Sequence, residues 1–202
     1  VLDFKSMYPS IMIANNVCHT TRIDPSHPQQ PEEGEIVHES PTGAKFRNKE
    51  SRLGLVPHLL EDLMSKREYH KTAMAIAREN KNQESISFHD QMQYAVKIMM
   101  NTFYGVFASS FYRFTHRDLG SSITAWARRN IKAIIQRLED DGNHVVYSDT
   151  DSIFVSVPIK GKPPTSPPDE GSDEQQAWDE ALKTMIQFGQ ETAEDSVKIL
   201  QF

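Results

Sequence analysis

Asp149 and Asp151 stand two apart in the stretch Val145-Val146-Tyr147-Ser148-Asp149-Thr150-Asp151-Ser152-Ile153-Phe154-Val155. In an extended strand, side chains two apart leave the same face, which predicts two carboxylates pointing one way. Like charges so placed repel unless a cation sits between them or a proton is shared. Hard oxygen ligands of this kind suit Mg²⁺ or Mn²⁺ rather than zinc. Asp, Ser and Thr are also ordinary turn formers, so this stretch by itself equally describes a solvated turn. A third carboxylate, Asp3, interrupts the apolar run Val1-Leu2-Asp3-Phe4. Taken singly it also suits a helix cap. It lies 148 positions before Asp151, so only folding could unite the two. United, such acids could hold two divalent ions about 4 Å apart. Ions so held activate an attacking oxygen and stabilise a leaving phosphate in an in-line displacement.

That chemistry also needs cations. Arg67 and Lys71 are four apart in a helical pattern and share one face. A guanidinium and an ammonium together could grip a polyphosphate, although a solvated surface is the plain alternative. Lys97, Asn101 and Tyr104 follow at steps of four and three, which aligns an ammonium, an amide and a ring on one stripe. Such a stripe could serve phosphate, sugar and base; a surface lysine, a surface amide and a core ring is the dull account. Gly105 beside Tyr104 costs a helix about 1 kcal/mol relative to alanine, a hint of close approach by something flat. Ser6 and the free N–H groups near it could meet an anion.

The elements that must position these residues are legible in outline. Val145–Val155 predicts a β-hairpin with Ser-Asp-Thr-Asp at its tip. Asp3 ends a short strand, after which Pro9 suits a first helical turn that runs to the stop at Asn15-Asn16. Residues 22–54, punctuated by Pro25, Pro28, Pro31, Gly34, Pro41, Gly43 and Gly54, predict an irregular loop or small excursion without identifiable chemistry. Val56, Leu59, Leu60, Leu63, Met64, Ala73, Ile76 and Ala77 give 55–80 a helical period. A turn over 82–87 and a helix over 89–107 complete an antiparallel helical hairpin. Residues 109–120 connect to a third helix from Thr124 to Asp140, with Ile123, Ala127, Ile131, Ile134, Ile135 and Leu138 as its buried stripe. Pro158, Pro163, Pro164, Pro167 and Pro168 forbid regular structure over 158–172, and 177–200 turns helical again.

At 202 residues, 38% hydrophobic and 25% charged, the chain reads as a soluble globular protein of one domain or two small ones. No apolar run approaches the roughly 20 residues of a membrane span. The single cysteine, Cys18, excludes an internal disulfide, and Cys18-His19 lacks the further cysteines of a metal site. The net charge of −6 argues against nucleic acid until its placement is read: residues 160–202 hold nine acids and four lysines, leaving 18 basic and 19 acidic residues before them. Arg113, Arg117, Arg128, Arg129, Lys132 and Arg137 outnumber Asp118, Glu139 and Asp140, so a local basic surface is compatible with the acidic total. An ordinary solvated helix face explains them as well.

The motifs together resemble family B DNA polymerases of the archaeal and eukaryotic replicative kind. Asp3-Phe4-Lys5-Ser6-Met7-Tyr8-Pro9-Ser10-Ile11 is similar to the first polymerase motif, D-x-x-S-L-Y-P-S-I, with Met7 for leucine. Lys97-Ile98-Met99-Met100-Asn101-Thr102-Phe103-Tyr104-Gly105 is similar to the second, K-x-x-x-N-S-x-Y-G, with Thr102 for serine. Tyr147-Ser148-Asp149-Thr150-Asp151-Ser152 is similar to the third, Y-G-D-T-D-S, with Ser148 for glycine. Three motifs in order and at family spacing form a specific signal that covers most of residues 1–157 and fades beyond.

The resemblance implies an α+β fold: an antiparallel-sheet palm with a catalytic β-hairpin, plus an antiparallel two-helix fingers hairpin. It implies palm over 1–54 and 108–202 and fingers over 55–107. It implies template-directed addition of dNTPs to a primer 3′-hydroxyl, with two Mg²⁺ ions (Mn²⁺ as a substitute) held by Asp3, Asp151 and the Phe4 carbonyl, and Asp149 beside them. Ser6 and Met7 would meet the triphosphate and Tyr8 would exclude a 2′-hydroxyl. Arg67, Lys71, Lys97 and Asn101 would hold the triphosphate, Lys97 would protonate the leaving pyrophosphate, and Tyr104 and Gly105 would pack on the nascent base pair. The implied partners are primer-template DNA, dNTPs, the exonuclease and thumb regions of a longer parent chain and a sliding clamp, with no membrane. The implied location is intracellular, cytoplasmic in a prokaryote or nuclear in a eukaryote. The lysine-containing palm motif expected after the third motif is not evident in 158–202, and the abrupt start without methionine predicts a fragment. The alternative is a non-catalytic scaffold that binds nucleic acid or protein; retained acids argue against it, because carboxylates without a cation are a liability.

Overall fold

The computed structural model describes residues 1–26, 30–31, 34–157, 159, 164–172 and 174–199; Pro28, Pro158 and Pro163 lie outside the described residues. In chain order the elements are β1 Leu2–Asp3, α1 Met7–Ala14, β2 Arg22–Ile23, β3 Val37–Glu39, β4 Lys45–Arg47, α2 Leu55–Glu79, α3 Gln83–Ala108, α4 Arg117–Asp140, β5 His144–Asp149, β6 Ser152–Ser156 and α5 Gln175–Ile199. This is a mixed architecture of helices and antiparallel sheets, as the sequence predicts. Among the described residues no helix is long and apolar enough to cross a membrane. The chain forms two units, one joining Val1–Phe4 to Arg128–Phe202 and the other spanning Lys5–Ala127.

The first unit is built on a three-stranded antiparallel sheet in the order β1-β6-β5. β5 and β6 form the predicted hairpin, with Asp149 opposite Ser152 and a two-residue turn, Thr150-Asp151, between them. Thr150 occupies the left-handed region (φ 48°), which turns the chain sharply enough to re-enter the ladder at once. Ile153 is fully buried, whereas Val146 and Tyr147 are exposed. A register shift between Val145 and Tyr147 locally breaks the strict in–out alternation. Ile131, Ile134 and Leu138 of α4 are buried at helical spacing, as predicted, while Arg128, Arg129 and Lys132 stay exposed.

The second unit is mostly helical. Pro9 is the third residue of α1, where an amide hydrogen would have no intrahelical partner, so the ring costs nothing. Residues 22–54 are more ordered than an irregular loop: β2, β4 and β3 make a second antiparallel sheet in that order. Strands of two or three residues are too short to display alternation. What holds them is long-range: Phe46 of β4 is fully buried against Trp126, ring centroids 5.8 Å apart. α2 and α3 run antiparallel, since Arg67 meets Gln93 and His70 meets His89. Their connection is shorter than the predicted 82–87 turn. Asn82 caps α3 by accepting the Ser85 amide at 3.1 Å, so the helix starts at Gln83. α4 likewise starts at Arg117 rather than Thr124, where the His116 Nδ1 accepts the Asp118 amide at 3.2 Å. Histidine is not a residue that announces a helix start.

Candidate functional site

In the first unit, strand pairing brings distant acids together. Asp3 of β1 and Asp149 of β5 both lie opposite Ser152, on either side of β6. Residues directly opposite in an antiparallel ladder project to the same face, so Asp3, Ser152 and Asp149 line one side of the sheet. Asp151 comes one residue earlier, in the turn, and its carbonyl accepts the Phe4 amide at 2.9 Å. The turn is thereby fastened to the strand that carries Asp3. The same-face argument from the spacing of Asp149 and Asp151 does not hold, because the left-handed Thr150 reverses the chain between them. The face-mate of Asp149 is Asp3.

Hydroxyls fix the hairpin end. Thr150 Oγ1 donates to Asp149 Oδ1 at 3.1 Å, Ser152 Oγ to the Asp149 carbonyl at 3.1 Å, and Ser148 Oγ to the Ser152 carbonyl at 3.0 Å. Ser148 thus makes a bond that the glycine usual in the motif lacks. Among the described residues no Lys or Arg lies within 4 Å of the Asp3 or Asp149 carboxylate. The donor set is of hard oxygens on the two strands that flank β6, about 10 Å apart at the backbone, and it suits a hard divalent cation by ligand type. Among the described residues no three His, Cys, Asp or Glu side chains already converge on one ion position. The backbone gathers the acids, and an ion would have to draw in their side chains.

In the second unit, α1, α2 and α3 bring four candidates together. Arg67 donates through Nη1 to Ser6 Oγ at 3.2 Å and through Nε to Gln93 at 3.4 Å. Ser6 is the N-cap of α1, with φ 54°, and its hydroxyl makes no bond to the helix's own amides. The Tyr8 and Tyr104 rings lie 4.3 Å apart at 35°. Met7 is buried, Lys71 half-buried, and Lys97 and Asn101 are exposed on α3. Sequence reasoning missed Lys5–Glu68, a 2.7 Å exposed pair that joins the first motif to α2 and holds the Glu68 carboxyl below its usual range. A pair 63 positions apart has no local signature.

A Cβ built at Gly105 would meet no atom within 4 Å. Folding therefore does not require glycine there. Gly105→Ala should leave the fold intact and stabilise α3 by up to about 1 kcal/mol. If the open space receives a ligand, the same change weakens that ligand's binding. Urea denaturation read beside nucleotide and DNA affinity separates the two effects, and unchanged affinity would remove Gly105 from the site.

Residues 1–164 match the family described as DNA polymerase family B. The chain is 32% identical over 171 residues to the DNA polymerase delta catalytic subunit of Caenorhabditis elegans, covering 79% of this chain and 15% of that protein. It is 31% identical over 157 residues to DNA polymerase 1 of Pyrococcus abyssi, covering 78% and 19%. The solved structure of the family B DNA polymerase from the hyperthermophilic archaeon Pyrobaculum calidifontis superimposes with a TM-score of 0.62 at 31% identity, covering 76% of this chain and 19% of that one. The chain thus spans less than a fifth of the length of these relatives. On a match running through all three motifs, the chain belongs to DNA polymerase family B.

Proposed function

We propose that this chain carries the catalytic core of a DNA-directed DNA polymerase, which adds dNTPs to a primer 3′-hydroxyl and releases pyrophosphate. The observation that carries the proposal is the strand pairing that brings Asp3 and Asp149, remote in sequence, to Ser152 with Asp151 adjoining. Residues 1–54 and 108–202 would form the palm and 55–107 the fingers. Asp3, Asp151 and the Phe4 carbonyl would hold two Mg²⁺ ions, with Asp149 contributing charge beside them. Bound there, the ions would activate the primer hydroxyl and offset the charge of the triphosphate.

The remaining roles fall to the chain's own side chains. Arg67, already oriented by Ser6 and Gln93, would present a planar pair of donors to the triphosphate, where a flexible lysine would lose more entropy. Lys71, Lys97 and Asn101 would complete the grip, with Lys97 Nζ giving a proton to the leaving pyrophosphate. Ser6 and the amide of Met7 would meet phosphate oxygens at the start of α1. Tyr8, braced by Tyr104, would lie under the sugar as a rigid wall with no space for a 2′-hydroxyl.

The test is Mg²⁺-dependent primer extension, read together with Mg²⁺-dependent dNTP binding. Metal-dependent binding and templated extension are expected; absence of both would leave a scaffold that binds partners without chemistry. Within the same assay, Tyr8→Ala should raise ribonucleotide use by about 10–100-fold relative to deoxynucleotides, the range open to shape selection alone. Unchanged sugar discrimination would take that role from Tyr8.

A further inference from the structure

His70 of α2 and His89 of α3 face each other across the helical hairpin with their Nδ1 atoms 2.9 Å apart. We propose that this pair is a two-imidazole clamp for a divalent transition metal, Ni²⁺ or Cu²⁺ by geometry. The pair shares no residue with the carboxylates and is independent of the polymerase reading.

Two ring nitrogens at 2.9 Å cannot both carry a proton towards each other; one donates and the other accepts. When the donor ring's proton moves from Nδ1 to its own Nε2, both Nδ1 lone pairs are free and a metal can take them. With metal–nitrogen bonds of about 2.0–2.1 Å, nitrogens 2.9 Å apart subtend about 90° at the metal. That is the angle between neighbouring ligands in octahedral or tetragonal coordination, whereas a tetrahedral ion would need the nitrogens about 3.4 Å apart. The spacing therefore favours Ni²⁺ and Cu²⁺ over Zn²⁺, and imidazole ligands exclude Mg²⁺ as a competitor. Water would supply the remaining positions, consistent with no larger His, Cys, Asp or Glu cluster among the described residues.

The surroundings hold the two rings in place. Both imidazoles are half-buried. Tyr69 packs edge-on against both, with ring centroids at 5.2 and 6.2 Å, and Phe88 does the same at 6.2 and 5.1 Å. Each histidine sits on a continuous helix, so the nitrogens are presented by rigid elements. The next rung of the same hairpin is Arg67 against Gln93. A metal at the histidine rung would hold α2 and α3 together within one turn of Arg67.

The experiment titrates Ni²⁺ into the full chain at pH 7.5, followed by calorimetry and thermal melting. One saturable site is expected, with the melting midpoint raised by about 3–6 °C at tenfold excess over Kd. Either His70→Gln or His89→Gln should weaken that site by about tenfold or more, while His116→Gln leaves it unchanged. Cu²⁺ on the unaltered chain should show paramagnetic coupling to two imidazole nitrogens, a readout that does not depend on any variant folding. No saturable site, affinity unchanged in both variants, or coupling to a single nitrogen would overturn the proposal and leave the contact as a shared proton only.

Discussion

Asp151→Asn should lower Mg²⁺-dependent nucleotidyl transfer by about 10³-fold or more, because on the proposed two-metal reading its carboxylate would neutralise both ions and contribute several kcal/mol to the transition state. The fold should barely notice. The Asp151 carbonyl accepts the Phe4 amide, and asparagine keeps that bond. The side chain is half-buried in a two-residue turn, and the isosteric change to asparagine should move the melting midpoint by no more than about 2 °C. Asp3→Asn should match the loss. Asp149→Asn should cost less, because Asp149 already accepts Thr150 Oγ1 and would act beside the ions rather than between them. Primer extension by the three variants, with melting curves on each, gives the ranking. Extension retained by Asp151→Asn would remove the two-metal reading, whereas a collapsed melting curve would make the residue structural.

How much of this was legible beforehand depended on range. The hairpin over Val145–Val155 and the long helices announce themselves, because periods of two and 3.6 are local properties of the chain. The three acids were readable as a set only through the motifs. Their actual arrangement was not, since it depends on β1 choosing the free edge of β6, a pairing that no local pattern encodes. The period argument for Asp149 and Asp151 failed because it assumed an extended chain through Thr150, whereas the hairpin spends Thr150 and Asp151 on its turn. The β2-β4-β3 sheet escaped for a similar reason: it is held by Phe46 under Trp126, 80 positions apart, and not by its own alternation. Caps divide the same way. Asn82 carries a recognisable signature, while His116 caps α4 with a ring nitrogen that composition does not flag.

Asn16 shows what a motif-led reading passes over, and it carries the largest stability effect expected in the Lys5–Ala127 unit. In sequence it is the second half of a helix stop. In the structure it is 1% exposed, with φ 50°, and its amide joins three separate pieces of backbone. Nδ2 donates to the carbonyls of Arg47 at 2.7 Å and Arg52 at 2.8 Å, while Oδ1 accepts the Gly54 amide at 2.9 Å. These bonds tie the end of α1 to β4 and to the N-terminus of α2, the helix that carries Arg67. Alanine at this position would orphan three backbone groups, each worth about 1–3 kcal/mol when buried and unpaired. It would also keep a left-handed backbone without the local bonding that lets asparagine adopt it, at about 1 kcal/mol. With partial relief by water, Asn16→Ala should destabilise the unit by about 3–5 kcal/mol, a drop of roughly 10–20 °C in its melting midpoint. Asn16→Gly separates the two causes: it relieves the backbone but restores no bond, so it should recover only about 1 kcal/mol. Urea denaturation of both variants decides between them. If glycine recovers most of the loss, strain and not the amide's three bonds is what fixes this corner, and the path by which α1 and β4 position the start of α2 would have to be sought elsewhere.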